Sequence, residues 1–142
     1  MNAILWAAWF GHYEAFCFLV KSGAATESKN KNGLSFLHCA ATNNHVNIID
    51  ICRQELQDFN LDTVDGHQRT ALHVAARGGN LESVEGLLDL KSDPHFDDKN
   101  GEVPLHLAAK HGHVKCVQCL VDFGADPNSV MMKMQHKRVF LV

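Results

Sequence analysis

The composition of this 142-residue chain is that of a globular domain with a substantial core, since 46% of its residues are hydrophobic and 20% are charged. Lys and Arg total 13 and Asp and Glu total 16, which gives a net charge of −3 and argues against a nucleic-acid partner. Five cysteines are an odd number and too few for a disulfide framework. We therefore expect a reducing compartment, the cytoplasm or alternatively the nucleus.

The chain opens with its most apolar stretch, AILWAAWF at residues 3–10, which ends at Gly11 and His12. A helix that crosses a bilayer needs about 20 mostly apolar residues, and this stretch is far shorter. It also lacks the basic segment that begins a signal peptide. The sequence therefore predicts a protein that is neither secreted nor membrane-spanning.

An internal repeat organises the rest of the chain. The same apolar anchor recurs at Ile4, Leu37, Leu72 and Leu105, with steps of 33, 35 and 33 residues. A fixed period of this length is the sequence signature of stacked structural units. The repeat predicts four units followed by a tail, with approximate bounds of 1–29, 30–64, 65–97 and 98–128 for the units and 129–142 for the tail.

Each unit carries the signals of two short helices. Ser35 and Thr70 stand before the first helix, where a hydroxyl accepts a hydrogen bond from a free helix N–H. Val103 has no hydroxyl, so the fourth unit is expected to begin its helix less well, although Pro104 suits the first turn. An Ala-Ala pair follows in every unit, and the second helix repeats apolar residues at helical spacing.

Glycines mark where these helices are predicted to end. Gly11, Gly79 and Gly112 end the first helices, with Asn44 in the second unit, because a helix often ends in a left-handed residue. Lys91 stands where the first and fourth units have Gly23 and Gly124 after the second helix, which puts the turn after Leu90 in doubt. Tight hairpin tips are predicted at 30–34, 65–69 and 98–102, with Gly33 and Gly101 at positions that need positive φ.

The start of each first helix resembles the signature T-P-L-H of the ankyrin repeat. The matching segments are Ser35–His38, Thr70–His73 and Val103–His106, each followed by x-A-A. This resemblance implies an all-α solenoid of about four helix-turn-helix units with short β-hairpin tips over residues 1–128. It also implies a structural hydrogen bond from each signature histidine to the backbone.

A narrower resemblance concerns the opening segment MNAILWAAWFGH together with GLSFLHCAA. Both are similar to the repeat part of the ankyrin-repeat and death-domain family of signalling proteins. That resemblance implies an intracellular adaptor. No segment of the sequence corresponds to a death domain, so only the repeat part is carried over.

A metal site is the sharpest chemical alternative. His111, His113, Cys116 and Cys119 offer nitrogen and sulfur ligands at zinc-like spacing. The two cysteines, however, replace Val and Leu at positions that the repeat buries, and a buried free cysteine behaves as a small hydrophobic residue. No phosphate-binding loop, nucleophile elbow or metalloprotease motif occurs. The sequence therefore favours a non-catalytic protein without a cofactor.

The concave face of the array is the predicted binding surface, because stacked repeats expose their tips and first helices along one side. Five basic residues there face one Glu, which favours an acidic segment of a partner protein, while an ordinary solvated surface is the alternative. Trp9 and Phe10 are the candidate anchors. The predicted partner-binding residues are Trp9, Phe10, Lys31, Leu34, Asn43, His67, Arg69, Arg77, Lys99, Glu102, Lys110 and His111.

Both ends depart from the repeat. Ile4, Leu5 and Trp6 are apolar, although a terminal repeat normally presents a polar outer face. The tail 129–142 breaks the pattern and either covers the last unit or is disordered. These ends suggest a second function, that of a truncated or splice-form fragment that competes with a longer relative or self-associates through its uncapped units.

Overall fold

A computed structural model of the chain describes residues 1–130. Within that range the chain forms eight α-helices and no strand, so the predicted all-α class is confirmed. None of these helices is long and apolar enough to cross a membrane. The helices are α1 (Ala3–Phe10), α2 (Tyr13–Lys21), α3 (Phe36–Thr42), α4 (Val46–Gln54), α5 (Ala71–Gly78), α6 (Leu81–Asp89), α7 (Pro104–Lys110) and α8 (Val114–Asp122).

The helices form a two-layer solenoid. The inner helices α1, α3, α5 and α7 stack on one another in chain order, and the outer helices α2, α4, α6 and α8 do the same. Each inner helix also packs against the outer helix that follows it. Burial consequently runs as one strip between the layers, as expected for units that contact only their neighbours.

The inner helices begin at the residues that the sequence predicts. The Ser35 hydroxyl accepts the His38 N–H at 3.4 Å, and His38 Nδ1 accepts the Ser35 N–H at 3.2 Å. Thr70 and its histidine repeat the pair at 3.3 and 3.1 Å. Val103 has only the second of these bonds, at 3.1 Å, because its side chain has no acceptor. Helix α7 therefore lacks the hydroxyl cap of α3 and α5.

The turn at Lys91, which the sequence left in doubt, forms with its hydrogen bond intact but at a steric cost. Lys91 takes a left-handed φ of 76° without being glycine. Its N–H donates to the Leu88 carbonyl at 3.0 Å, which is the bond that Gly124 makes to Val121 at 3.0 Å after the last outer helix. The backbone turn is thus unchanged, and the lysine carries the steric cost of about 1–2 kcal/mol that a side chain adds there.

The hairpin tips are tight turns at the predicted residues, but they contain no regular strand in residues 1–130. The turns 30–34, 65–69 and 98–102 are each closed by a bond from the first N–H to the last carbonyl, at 3.0, 3.0 and 2.9 Å. The side-chain oxygen of the first residue, Asn30, Asp65 or Asp98, accepts two further backbone N–H groups of its own turn. The side chain that opens each tip thereby fixes its shape.

A ladder of histidines ties the inner helices α3, α5 and α7 to the segment that follows each unit. His38 and His73 are fully buried, and burial lowers the pKa of both imidazoles, against the opposing effect of their carbonyl bonds. They are neutral at pH 7, with Nδ1 accepting and Nε2 donating. The Nε2 bonds run from His38 to the Arg69 carbonyl at 2.8 Å, from His73 to that of Glu102 at 2.9 Å and from His106 to that of Ser129 at 3.0 Å.

The step from the second anchor to the third is 35 residues, two more than the steps before and after it. The loop that contains the extra residues adds to the core. The Phe59 ring lies 4.7 Å from Phe36, whose ring lies 5.0 Å from Phe16. Three aromatic rings from two units and a connecting loop therefore pack in one row. Such contacts add to the stability that area burial alone provides.

Candidate functional site

The concave side of the solenoid holds a hollow of about 790 Å³ between the tips and the inner helices. Five of the predicted partner-binding residues line this concave hollow, namely Leu34, His67, Arg69, Arg77 and His111. The sequence missed Asp65, Val74 and Gly78 as lining residues. The full lining is Leu34, Thr42, Asp65, His67, Arg69, Val74, Arg77, Gly78, Asn100 and His111.

The hollow combines an apolar part with exposed polar groups. Leu34 and Val74 are half-buried, whereas Arg77, His67 and His111 are exposed. Gly78 follows Arg77 at the end of α5 and has no side chain to fill the space. This arrangement offers a guanidinium and two imidazoles around a patch that an aliphatic side chain can contact.

Arg69 is held in place by a buried carboxylate. Its Nε donates to Asp98 Oδ2 at 3.2 Å, and the two side chains are 17% and 1% exposed. The other oxygen of Asp98 accepts backbone N–H groups of its own tip at 2.8 and 2.9 Å. The pair therefore joins the second tip to the third, and the Arg69 charge is largely compensated at the site.

The prediction that Glu102 is an exposed binding residue is wrong. Glu102 is 5% exposed because it closes the last tip, where its carbonyl accepts the His73 bond. Its carboxylate lies 3.5 Å from the Lys110 ammonium, whose side chain is 62% exposed. Lys110 remains accessible, but the adjacent Glu102 carboxylate offsets part of its positive charge.

These contacts reduce the basic character that the sequence suggested. Three carboxylates, those of Asp65, Asp98 and Glu102, lie among the five basic residues of the concave face, where the sequence suggested one. Lys31, Arg77 and Lys99 form no ion pair within residues 1–130 and are exposed. The positive charge available to a ligand is concentrated on these three side chains.

Lys31, Asn43 and Lys99 are exposed but lie outside the lining of the concave hollow. Lys31 lines a neighbouring hollow of about 650 Å³ between the first two tips. Asn43 donates from Nδ2 to the Trp9 carbonyl at 2.9 Å, so it joins the first two units. These residues extend the basic surface beyond the hollow.

Trp9 and Phe10, the predicted anchors, are also outside the hollow. Trp9 is half-buried against the core. Phe10 is 58% exposed and stacks on Trp6, with ring centroids 5.8 Å apart. Both lie on α1, and the Trp9 carbonyl accepts hydrogen bonds from Asn43 and His45 of the second unit.

The metal-like residues are placed by the repeat. Cys116 is buried, and burial raises the pKa of the Cys119 thiol to about 11, so both stay protonated near neutral pH and are poor ligands. His113 donates from Nε2 to the Arg77 carbonyl at 3.0 Å. In residues 1–130 no three His, Cys, Asp or Glu side chains meet as a metal site. Cys119 and Cys17 are both half-buried, whereas the other three cysteines are buried.

Comparison with known proteins agrees with this architecture. A family model described as ankyrin repeats in three copies matches residues 4–98, and a single ankyrin repeat matches residues 100–131. Over 101 residues, 70% of its length, the chain is 30% identical to the palmitoyltransferase AKR1 of Lachancea kluyveri. Over 46 residues, 32% of its length, it is 44% identical to a putative ankyrin repeat protein of Acanthamoeba polyphaga mimivirus. The chain spans only 14% and 6% of these two proteins.

Proposed function

Because the chain belongs to the ankyrin-repeat family of protein-interaction modules, we propose that it binds an acidic segment of a partner protein in the concave hollow. The observation that carries the proposal is the pairing of the exposed Arg77 guanidinium with the half-buried Leu34 and Val74 in one hollow of about 790 Å³. A segment with a carboxylate beside an aliphatic side chain satisfies both parts.

The site suits this ligand for geometric reasons. A guanidinium binds a carboxylate through two parallel hydrogen bonds, and Asn100 adds an amide within the same lining. The carbonyl of Arg77 is already bonded to His113 of the next unit, so the end of α5 is fixed before a ligand arrives. A surface that is ordered in advance loses less conformational entropy on binding.

We further propose a non-catalytic adaptor that acts inside the cell in signalling, in the cytoplasm or the nucleus. All five cysteines are free thiols, which supports a reducing compartment. The activity in the name of the Lachancea relative is not proposed for this chain, because the match covers 14% of that protein.

The test measures binding of short fluorescent peptides that carry Asp or Glu beside Leu, each with a matched version in which Asn or Gln replaces the acid. We expect the acidic versions to bind, more weakly as salt rises, and the amidated versions to bind at least about tenfold less well. Arg77→Glu should remove the preference. Lys115→Glu makes the same charge change on an exposed outer-helix residue and should leave it intact. Equal affinity for both peptide types, or equal effects of both variants, would contradict the proposal.

A second proposed function is that of a regulatory fragment that competes with a longer relative or self-associates. The supporting observation is apolar exposure at both ends of the array, with Trp6 at 49%, Phe18 at 71% and Val114 at 64%. Large exposed apolar side chains grouped on one surface are typical of an interaction site. We expect the apparent molar mass measured by light scattering to rise with protein concentration.

A further inference from the structure

We propose that a second copy of this chain docks head to tail, with its first unit stacked on the last unit of its neighbour through the contact that joins units inside the array. The inference rests on the self-association proposed above and specifies its geometry. It follows from comparing the internal junctions with the two open ends.

Two internal junctions share one contact. The His45 ring lies over Gly11, where a Cβ atom would come within 2.6 Å of it, and the His113 ring lies over Gly79 at the same distance. In both cases the histidine Nε2 donates at 3.0 Å to the carbonyl two residues before the glycine, that of Trp9 or Arg77. The ring of one unit thus covers the glycine that ends the inner helix of the unit before it.

The middle junction makes the same link with smaller groups. Asn80 occupies the histidine position and donates from Nδ2 to the carbonyls of Ala41 and Thr42 at 2.8 and 3.1 Å. Asn44 occupies the glycine position, with a φ of 60°. All three internal junctions therefore place a side-chain donor of the later unit on the same backbone region of the earlier one.

Within residues 1–130, both halves of this contact are uncovered at the ends of the array. His12 is exposed at the start of α2, the position that His45 and His113 occupy in their units. Gly112 has a φ of 75°, and a Cβ atom built on it meets nothing within 4 Å in the part of the chain that the structure describes. The Lys110 carbonyl lies two residues before Gly112, as those of Trp9 and Arg77 do before their glycines.

The front face of the first unit corresponds to an apolar surface that is buried in the second unit. We define it by Ala3, Trp6, Ala15 and Phe18, all of which are exposed. Phe18 is 71% exposed, whereas Ile51 at the same position of the next unit is 1% exposed. The other residues at these positions in the second unit, Phe36, Cys39 and Ile48, are fully buried.

The rear face of the last unit matches it. We define this face by Ala109, Gly112, Val114 and Val117. Ala109 is exposed, yet the alanine at its position is fully buried in each of the three earlier units. The front face of one copy and the rear face of another thus provide the two sides of a junction already formed three times in the chain.

Head-to-tail docking follows from the asymmetry of that junction. Its two sides are different surfaces, so a contact between identical front faces would bring His12 against His12 with no glycine to receive it. A heterologous contact also leaves one face free on each outer copy, so assemblies lengthen with concentration instead of stopping at a dimer.

The experiment is sedimentation velocity over a range of concentrations with Phe18→Glu on the front face and Ala109→Glu on the rear face. Each variant alone should remain monomeric, because each lacks one side of the contact. Their equimolar mixture should form a dimer through the two intact faces. The control, Asn47→Glu, changes a residue exposed in all four units and already Glu at the equivalent Glu14 and Glu82, and it should associate like the unmodified chain.

The outcomes separate the two levels of the proposal. An unmodified chain that stays monomeric overturns self-association and this inference together. Self-association that survives in Ala109→Glu but not in Phe18→Glu shows front-to-front pairing and overturns only the head-to-tail geometry. His12→Ala, a change at an exposed position, should weaken association about threefold to tenfold. An unchanged constant excludes the histidine–glycine contact.

Discussion

Helices α1 and α5 occupy equivalent places in the solenoid and present opposite surfaces. At one pair of positions α1 carries Trp6 and Phe10, stacked 5.8 Å apart, while α5 carries Val74 and Gly78. The first pair covers its surface with exposed aromatic rings, and the second leaves the space that becomes the concave hollow. Side-chain volume at two positions therefore decides whether the same backbone offers an apolar face or a hollow.

The difference extends to how each unit is held. The third unit lies between two neighbours, and its Gly79 is covered by a histidine ring, whereas nothing within residues 1–130 covers Gly112. The first unit has Leu5 where the later units have a histidine, so it lacks the bond that His38, His73 and His106 make. The first unit is thus held by fewer polar contacts than the third.

The largest expected effect breaks the contact at an internal junction. Gly79→Ala should lower the free energy of unfolding by about 3 kcal/mol, because it adds left-handed strain and a clash with the His113 ring. Gly112 has nearly the same φ and no neighbour within 4 Å among the described residues, so Gly112→Ala should cost about 1 kcal/mol. Urea denaturation at low protein concentration measures both. Equal losses would show that the ring contributes nothing at this junction.

Acidic pH should loosen the internal units. The pKa of His38 and of His73 is lowered by burial, so the unfolded chain binds protons below about pH 6.5 while the folded chain does not. Stability is therefore complete above pH 6.5 and falls as the pH decreases toward the lowered pKa, by at most about 1.4 kcal/mol per pH unit for each histidine. Urea midpoints from pH 7.5 to 5 test this, with the exposed His95→Asn as the control. A flat profile would mean that the two imidazoles protonate equally in both states.

A large side chain in the concave hollow should give α5 a surface like that of α1 and block the binding site. Gly78→Phe places the Phe10 side chain at the equivalent position and should weaken binding of the acidic peptides at least about tenfold by occupying their space. Lys115→Phe adds the same ring at an exposed outer-helix residue, outside the lining, and should bind normally. Fluorescence anisotropy measures both affinities. Unchanged binding by Gly78→Phe would place the ligand elsewhere.

The smallest effect concerns the turn after α6. Lys91→Gly should raise the stability by about 0.5–1 kcal/mol, because glycine relieves the cost of a φ of 76° and gives back part of the gain as chain entropy. Lys21→Gly, within the last turn of α2, should instead lower it by about 1 kcal/mol. Thermal unfolding compares the two, and a loss in both variants would mean that the lysine side chain stabilises the turn.

The fold could be predicted because its signals are local. Turn residues, helix caps and the 33-residue step all lie within one unit, and they located every inner helix and every tip. Asp98 shows what was harder to see. It stands one repeat step after Asp65, and that recurrence was an available signal for a structural carboxylate. Its bond to Arg69 across neighbouring tips depends on spacing between units, which a single-unit pattern does not contain.

The candidate site was predicted only in part for the same reason. Arg77, His67 and Leu34 were identified because their register in the unit is concave. The sequence pattern assigned Glu102 to the exposed surface because a charged residue at the edge of a tip is usually exposed. Its contact with the Lys110 ammonium is apparent only once the positions of both residues are known. Gly78 was overlooked because it contributes to the concave hollow by lacking a side chain, whereas the predicted site consists of side chains that could bind a partner.

The histidine ladder also determines which parts of the binding surface are free to change. Each imidazole holds a main-chain carbonyl, and the three residues that supply those carbonyls are a cation, an anion and a small alcohol, Arg69, Glu102 and Ser129. The ladder therefore fixes the path of the backbone without constraining the chemistry displayed on it. In a lineage of such proteins, the tips can acquire a new ligand preference by substitution while the scaffold beneath them stays the same.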